Sequence, residues 1–458
     1  MQKFIAGVLL SALANPALAL KIPELVTHIV ATHPSYLAAT ERTLAVKSEV
    51  VEAEAQFDPR VEQQSLARTS GYYDGRYAEQ QIISPIRPMN GEVSLGYRIS
   101  DGRFPIYEDR FNTLNDGEIS FGLKLALLKD RDIDSRRAKL ETASLRYSEV
   151  RSEQDVTLNA LIYQGITSYL DWLKADQKRI VIEDLLLLTE DRLAGVTSRV
   201  QSGDLAAVAL SELETTLLQR QLLLIDADRE LAVKAESLSF FWSQTPSLRP
   251  SENATLRTLL GWPYRMTSQR AATVLDELES HPELRKITAK IDQTATNEEL
   301  AKNQILPELD LEFKVSKDIG GKVNPLSEGD AVVGLNFSMP IGQRAARARQ
   351  QTINANLRSL ELEKSAIELA LKRDIQAGIE SIALANNAFT TSQRMEQVAR
   401  ELLRQETKRF EEGISDQFLL INRETAALEA RLSAIEAEFA VLHQELFLAG
   451  TLARLSAL

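Results

Sequence analysis

The chain contains no cysteine and few residues that interrupt helices. Its 458 residues include 20 glycines and 14 prolines, and aromatic side chains make up 6% of them. Without cysteine the chain cannot form a disulfide framework, a thiolate metal site or a cysteine nucleophile. The scarcity of glycine and proline, combined with abundant alanine, glutamate, leucine and arginine, favours long helices and coiled coils.

Histidine and net positive charge are also lacking. The four histidines, at positions 28, 33, 281 and 443, do not have the paired spacing of a metal-binding helix. The formal net charge is −12, whereas a nucleic-acid partner would require a basic face. We therefore expect no metal, no cofactor, no catalytic site and no nucleic-acid partner.

Long apolar runs are absent beyond the N-terminus. Residues 1–19 combine Lys3, an apolar run over 4–14 and an Ala-x-Ala sequence at 17–19. This pattern predicts a secretory signal peptide and an exported chain, the alternative being a buried N-terminal helix. Beyond this segment no run reaches the roughly 18 apolar residues of a membrane helix. If the mature chain meets a membrane, we expect contact through a β-barrel or at a surface.

Two glycines interrupt otherwise continuous helical patterns. Gly203 lies in TSRVQSGDLAAVALSELETTLLQ, and Gly413 lies in TKRFEEGISDQFLLINRETAALE. A single offset of 210 residues aligns the two segments, and it also pairs Glu214 with Glu424. Such self-similarity indicates an internal repeat.

Further pairs of segments extend this repeat. The dipeptide HP occurs at 33–34 and at 281–282, and QFDP at 56–59 matches QILP with the same offset of 248 residues. The predicted organisation is a signal peptide at 1–19, a first structural repeat at 20–245, an inter-repeat linker at 246–275 and a second structural repeat at 276–458. Each repeat is expected to contain a helix, a β-hairpin and a long helical hairpin.

Strand patterns follow the first helix of each repeat. In ELDLEFKVS, residues 308–316, apolar residues alternate with charged ones, and a second alternating segment covers 332–341. This pair predicts a membrane β-hairpin, the alternative being a half-buried hairpin of a soluble sheet. The first repeat has a strand at 119–128 and about 36 extra residues, including an alternating segment at 91–100. These residues are either extra strands or an extended hairpin, so four strands per chain are a minimum.

Long helical patterns follow each hairpin. They cover about 130–195 and 204–243 in the first repeat, and about 342–408 and onward to 455 in the second. The last helix carries a seam whose members are spaced alternately by four and three residues, as in a coiled coil. Its members are Leu428, Leu432, Ile435, Phe439, Leu442 and Leu446.

The two glycines are interpreted as turns at the tips of antiparallel helical hairpins. Glycine permits the positive φ that ends a helix. Asp204 in the first hairpin, and Ser415 or Asp416 in the second, are expected to cap the helices that follow. Because four strands cannot close a barrel, we expect three chains to assemble, with the helical hairpins forming a tube coaxial with that barrel.

These features resemble TolC-like outer-membrane channels, the exit ducts of tripartite efflux pumps and type I secretion systems. The resemblance covers nearly all of the mature chain. It is carried by the duplicated order of helix, strand, strand and long hairpin, and by the segments LPELDLEF, NFSMPIGQRAARARQQTINANL and RFEEGISDQFLLINRE.

The resemblance implies a mainly α fold with membrane β, in which tandem-duplicated long α-helical hairpins form a trimeric α-barrel continuous with an outer-membrane β-barrel. It implies a homotrimer in the cell outer membrane, in contact with lipid and extending into the periplasm. Its partners would be a periplasmic adaptor (membrane fusion protein) and an inner-membrane pump. Transport would be passive and without enzymatic activity, by efflux or by type I secretion. The alternative is an exported periplasmic coiled-coil adaptor or scaffold protein.

The resemblance also assigns candidate site residues at the hairpin tips. Their implied role is to dock the adaptor and to close the periplasmic aperture, the alternative for the arginines being ordinary surface charge. Some channels of this family carry a ring of aspartates about two turns after the tip glycine, where this chain has Leu419 and Asn422, or Ala209 and Glu212. Glu212 is the candidate pore-lining acid, with Asp416 as a further substitute. The tip residues are Arg199, Gly203, Asp204, Arg409, Phe410, Gly413 and Asp416.

Overall fold

The structure is a computed structural model that describes residues 20–242, 256–264, 278–321 and 328–456. The predicted signal peptide and most of the predicted linker lie outside these ranges. The chain divides into two compact units. The helical unit consists of Met1–Ala39, Gln154–His281 and Glu368–Leu458, and the sheet unit consists of Thr40–Glu153 and Pro282–Ile367. The boundaries predicted for the two repeats stay a prediction.

Helices account for most of the described chain. They are α1 Ile22–Thr32, α2 Pro34–Glu54, α3 Ser135–Gln201, α4 Ala207–Ser239, α5 Leu256–Leu260, α6 Pro282–Asn303, α7 Arg344–Glu411 and α8 Gln417–Thr451. Both α2 and α6 begin with a proline, at a position where no backbone N–H is needed. The two longest helices have 67 and 68 residues. The predicted long helices are confirmed, and none of the described helices has the length and apolar composition needed to cross a membrane.

The start of α3 is set by a side chain that the sequence pattern did not single out. The Asp134 carboxylate accepts hydrogen bonds from the backbone N–H groups of Arg136 and Arg137, at 2.8 and 3.2 Å. These are N–H groups that the first turn of a helix leaves without a backbone partner. The helix therefore begins a few residues after the predicted start near residue 130.

One antiparallel sheet of six strands forms in the sheet unit, in the order β1 to β6. The strands are β1 Arg60–Ala67, β2 Arg76–Ile86, β3 Gly91–Asp101, β4 Glu118–Ala126, β5 Glu308–Asp318 and β6 Gly329–Ser338. The extra residues of the first repeat therefore supply additional strands, and the predicted minimum of four is exceeded. Strand β6 ends before Pro340, which cannot donate a ladder hydrogen bond, so its predicted extension to residue 341 is wrong.

The two faces of this sheet differ in polarity. On one face, called the apolar face, Leu95 lies opposite Phe121, and Phe313 lies opposite Val333. These four side chains are exposed. On the other face, called the polar face, charged residues of β2 to β5 lie side by side. They include Glu79, Arg98, Glu118, Lys124, Asp310, Glu312 and Lys314.

The helical unit has its own apolar core. The predicted seam of α8 is confirmed, since Ile435, Phe439, Leu442 and Leu446 are all fully buried. They pack with residues of α1, α3 and α4 in one cluster. The described part of the linker joins this core, because the Trp262 indole N–H donates to the Glu445 carboxylate at 2.8 Å.

Candidate functional site

Both hairpin tips turn at a glycine with the same backbone geometry. Gly203 has φ +84° and Gly413 has φ +72°. The carbonyl of Arg199 accepts the N–H of Asp204 at 2.9 Å, and the carbonyl of Arg409 accepts the N–H of Ile414 at 2.8 Å. This is the Schellman arrangement that ends a helix on a left-handed residue. The predicted turns are therefore present at both glycines.

The two tips differ in how the next helix begins. The Asp416 carboxylate accepts the N–H of Leu419 at 2.8 Å and caps α8, as predicted. The predicted cap by Asp204 is wrong, because the N-cap of α4 is Ala206, without a side-chain hydrogen bond. The Asp204 carboxylate instead accepts the Ser202 hydroxyl at 3.2 Å. The first tip consequently continues two residues further than expected before its second helix starts.

The tip surface combines charge with exposed apolar side chains. Arg199 is exposed, and Arg409 lies 3.3 Å from the buried Glu406. Phe410 is partly buried. Each tip also has exposed apolar side chains that were not among the predicted site residues. Their closeness in sequence to the tip glycines was the available signal. They are Val208, Ile414 and Phe418.

A buried set of charged and polar side chains joins the two hairpins. Glu424 of α8 accepts hydrogen bonds from Arg192 of α3 and, at 2.9 Å, from Arg220 of α4. Arg220 also donates to the Thr189 hydroxyl. All but Arg192 are nearly inaccessible to solvent. We call these four residues the inter-hairpin cluster. The internal repeat aligns Glu424 with Glu214, which is exposed. The sequence therefore gave no sign that Glu424 is buried and Glu214 is not.

A second bond links the hairpins closer to their tips. The Gln417 side-chain amide is buried and donates to the backbone carbonyl of Ala209 at 2.8 Å. Glu212, the candidate pore-lining acid, lies on the following turn of α4 and is exposed, as is Asn422 of α8. The two hairpins are thus joined by the inter-hairpin cluster and, nearer the tips, by the bond from Gln417 to Ala209. Glu212, the acid expected in the pore, is accessible to solvent.

Comparison with solved structures identifies the class of fold. The open-state Neisseria gonorrhoeae MtrE outer membrane channel matches with a TM-score of 0.66 at 13% identity, over 95% of this chain and 90% of that one. The Vibrio cholerae outer membrane protein VceC matches with 0.63 at 12%, over 94% and 96%. The Campylobacter jejuni CmeC outer membrane channel matches with 0.64 at 11%, over 99% and 94%. The chain therefore has the fold of outer-membrane channels.

A family model agrees with this fold in the second half of the chain. Residues 274–454 match the family described as outer membrane efflux protein. A search of curated proteins finds no match. The resemblance predicted from the sequence is confirmed by the family model and the shared fold together, and so is the predicted fold class. The predicted location in the outer membrane agrees with the channels that share the fold.

Proposed function

We propose that three copies of this chain form a passive exit duct through the outer membrane and periplasm. The duct would belong to a tripartite efflux pump or a type I secretion system, with a periplasmic adaptor and an inner-membrane pump as partners. The pump would supply the energy, and this chain would supply the path. The pump would then select the cargo. For this reason the duct itself does not distinguish an efflux pump from a type I secretion system.

The exposed apolar face of the sheet carries this proposal. A one-sided sheet of a soluble protein buries its apolar face and exposes its polar face. Here Leu335 and Phe337 of β6 are exposed on the apolar face, while charged side chains such as Lys124 and Glu312 line the polar face and reach solvent. A lipid environment around the apolar face and a water-filled passage along the polar face account for this arrangement. A water-soluble periplasmic adaptor or scaffold would not be expected to expose an apolar sheet face.

The edges of both units support assembly of several copies. Among the strands that the structure describes, β1 and β6 each pair on one side only, and such open edges favour pairing with another chain. In the helical unit, α4 exposes Leu218, Leu222 and Ile225 at the four-and-three spacing of a coiled-coil seam. Helix α7 exposes a similar row, Met395, Val398 and Leu402. Closed cyclic assembly would cover all of these surfaces.

The tips are our proposed docking surface for the adaptor. Exposed apolar side chains rimmed by charge are typical of protein interaction sites, and Ile414 and Phe418 occupy such a position beside Arg409. We retain Arg199, Gly203, Asp204, Arg409, Phe410, Gly413 and Asp416 as the residues that dock the adaptor and close the aperture. Glu212 is retained as the candidate acid of the pore.

Two adjacent valines of β6 allow a direct test. Val333 lies on the apolar face and Val332 on the polar face, with 69% and 59% of their surfaces exposed. We expect Val333→Lys to reduce assembly in the outer membrane, because a lysine facing lipid near the bilayer midplane costs about 2–4 kcal/mol. Val332→Lys makes the same chemical change on the face assigned to water, and its assembly should be nearly normal.

The measurement is separation of the inner and outer membranes, extraction in mild detergent and determination of the native mass. A trimer from the outer-membrane fraction, lost in Val333→Lys and kept in Val332→Lys, is the expected result. A water-soluble monomer or dimer in the periplasm would overturn the duct and favour the adaptor or scaffold reading. Equal behaviour of the two variants would overturn the assignment of the faces.

A further inference from the structure

We propose that residues 102–117, between β3 and β4, form an inward-folded constriction at the exit of the duct and set the size of solute that passes. This proposal rests on the proposed function above. We call this segment the exit loop. It lies within the extra residues of the first repeat, outside the motifs by which the chain resembles known channels.

The exit loop folds over the polar face of the sheet. Tyr77 lies opposite Ser100, and Arg98 lies opposite Glu118, so both side chains belong to the polar face. The Phe111 ring of the exit loop stacks on the Tyr77 ring, with centroids 4.5 Å apart and planes at 9°. The Arg98 guanidinium carbon lies 5.8 Å from the Phe111 ring centroid. The loop therefore occupies the side that the duct assigns to the passage.

The second half of the exit loop is fastened to the ends of the strands. Thr113 and Ser100 exchange two hydrogen bonds, from the backbone N–H of each to the hydroxyl of the other, at 2.8 and 3.0 Å. The backbone N–H of Leu114 donates to the Asp318 carboxylate at 3.0 Å. Asp116 and Gly117 complete a backbone pair with Ile319. Bonds to both β3 and β5 hold this half against the sheet.

The first half of the exit loop is held by an ion pair and an aromatic contact. One guanidinium nitrogen of Arg68, just after β1, donates to both oxygens of the Glu108 carboxylate at 2.6 Å. This charge-assisted contact ties the first half of the loop to the end of β1. Phe104 is buried, and its ring packs so close to Gly75 that any side chain there would collide with it. Both halves of the loop are therefore anchored to the sheet unit.

Two side chains of the anchored loop project away from the protein. Ile106 is 93% exposed and Tyr107 is 78% exposed. Because the exit loop is anchored to the sheet, these two exposed side chains would narrow the passage along the polar face. Three copies of a six-stranded sheet would supply about eighteen strands, and closed sheets of that size leave an aqueous channel. The exit loops would reduce that opening, so large hydrophilic solutes would pass less readily than small ones.

The absence of cysteine makes the test direct. Full-length Tyr107→Cys is purified as the detergent-extracted complex and placed in planar lipid bilayers, and a bulky polyethylene-glycol thiol reagent is added. The expected result is a loss of single-channel conductance on labelling. Tyr72→Cys is the matched control, because Tyr72 is 75% exposed on the neighbouring β1–β2 connection. It should be labelled with a smaller loss of conductance.

A complementary variant widens the opening instead of blocking it. Replacement of the exposed pair by Ile106→Ala and Tyr107→Ala should raise the single-channel conductance of the complex in planar lipid bilayers. Equal conductance losses at positions 72 and 107, or a double variant with unchanged conductance, would overturn the constriction while leaving the duct intact. Failure to recover the wild-type protein as a trimer from the outer-membrane fraction would instead overturn the proposed function.

Discussion

Gly203 and Gly413 have no atoms near the position that a Cβ would occupy. Their requirement for glycine is therefore one of backbone conformation, since φ is positive at both. A side chain in the left-handed region costs about 1–3 kcal/mol. Gly195 in α3 also has open space around it, but its φ lies outside the left-handed range. The two kinds of position should therefore respond to alanine in opposite directions.

We expect Gly203→Ala and Gly413→Ala to lower the melting temperature. Gly195→Ala should raise it, because alanine in an exposed helix interior is about 1 kcal/mol more favourable than glycine. Thermal unfolding of the purified protein in detergent measures both.

Larger side chains, as in Gly203→Val with Gly413→Val, should also impair export without affecting membrane insertion. Unimpaired export in that double variant would contradict the placement of the docking surface at the tips.

Glu424 is the acidic member of the inter-hairpin cluster. Glu424→Ala would leave Arg192 and Arg220 without their carboxylate partner, and loss of one partner from a buried ion pair typically costs about 3–5 kcal/mol. The matched control is Glu214→Ala, its exposed counterpart in the repeat, for which a change within about 0.5 kcal/mol is expected. Denaturation of the two variants side by side tests this, and equal stabilities would contradict a structural role for the cluster.

Asp171 of α3 makes the helical unit sensitive to acid. The pKa of its carboxyl group is held well below its usual range by contact with His443 at 3.2 Å and by the hydrogen bond from Lys234 at 2.8 Å. The stabilisation from a depressed pKa is present above the unfolded value of about 3.9 and is lost as pH falls toward the folded value.

We therefore expect Asp171→Asn to be less stable than the parent protein above about pH 5, with a difference that narrows as the pH falls below 4. Melting temperatures of both proteins across this range measure the effect. Glu429→Gln, at an exposed carboxyl group of α8, is the control and should show no such narrowing. A pH-independent difference for Asp171→Asn would mean that the variant acts through packing and not through charge.

At the scale of single elements, the exposed seam of α4 is the clearest case of a surface without a partner in the described chain. Leu222 belongs to the seam, whereas Leu223 is exposed but lies beside it. We expect Leu222→Lys to weaken the trimer and Leu223→Lys to leave it largely intact, because a desolvated lysine at a seam position is costly. Native mass in detergent reports the outcome. Dissociation in both variants, or in neither, would contradict the assigned seam.

The strands show how far element-level reasoning reaches. The pattern of β5 alternates cleanly, and the sequence predicted it correctly. Strand β2 was not predicted, because glutamate, glutamine and a proline occupy its RYAEQQIISPI sequence without a regular alternation. Its Tyr77 is buried by Phe111, which comes 34 residues later in the chain. A strand whose burial depends on so distant a contact has no local signature.

At the scale of the whole molecule, each compact unit draws on both halves of the chain. A duplicated sequence therefore does not fold as two successive domains here. The strands of both halves meet in one sheet, through the pairing of β4 with β5. The helical hairpins of both halves meet through the inter-hairpin cluster. The assembly proposed for three copies extends the same contacts, at the edges that one copy leaves open.

The sequence by itself determined the long helices, the turns at both tips and the two-sided strands. Each of these depends on periodicity or on the backbone freedom of one residue, which neighbours along the chain are enough to specify. Only the tertiary structure separated Glu424 from Glu214 and folded the exit loop onto the polar face. Those outcomes depend on partners such as Arg192 for Glu424 and Tyr77 for Phe111, which lie far away in sequence. Burial and pairing are decided when such segments meet in space.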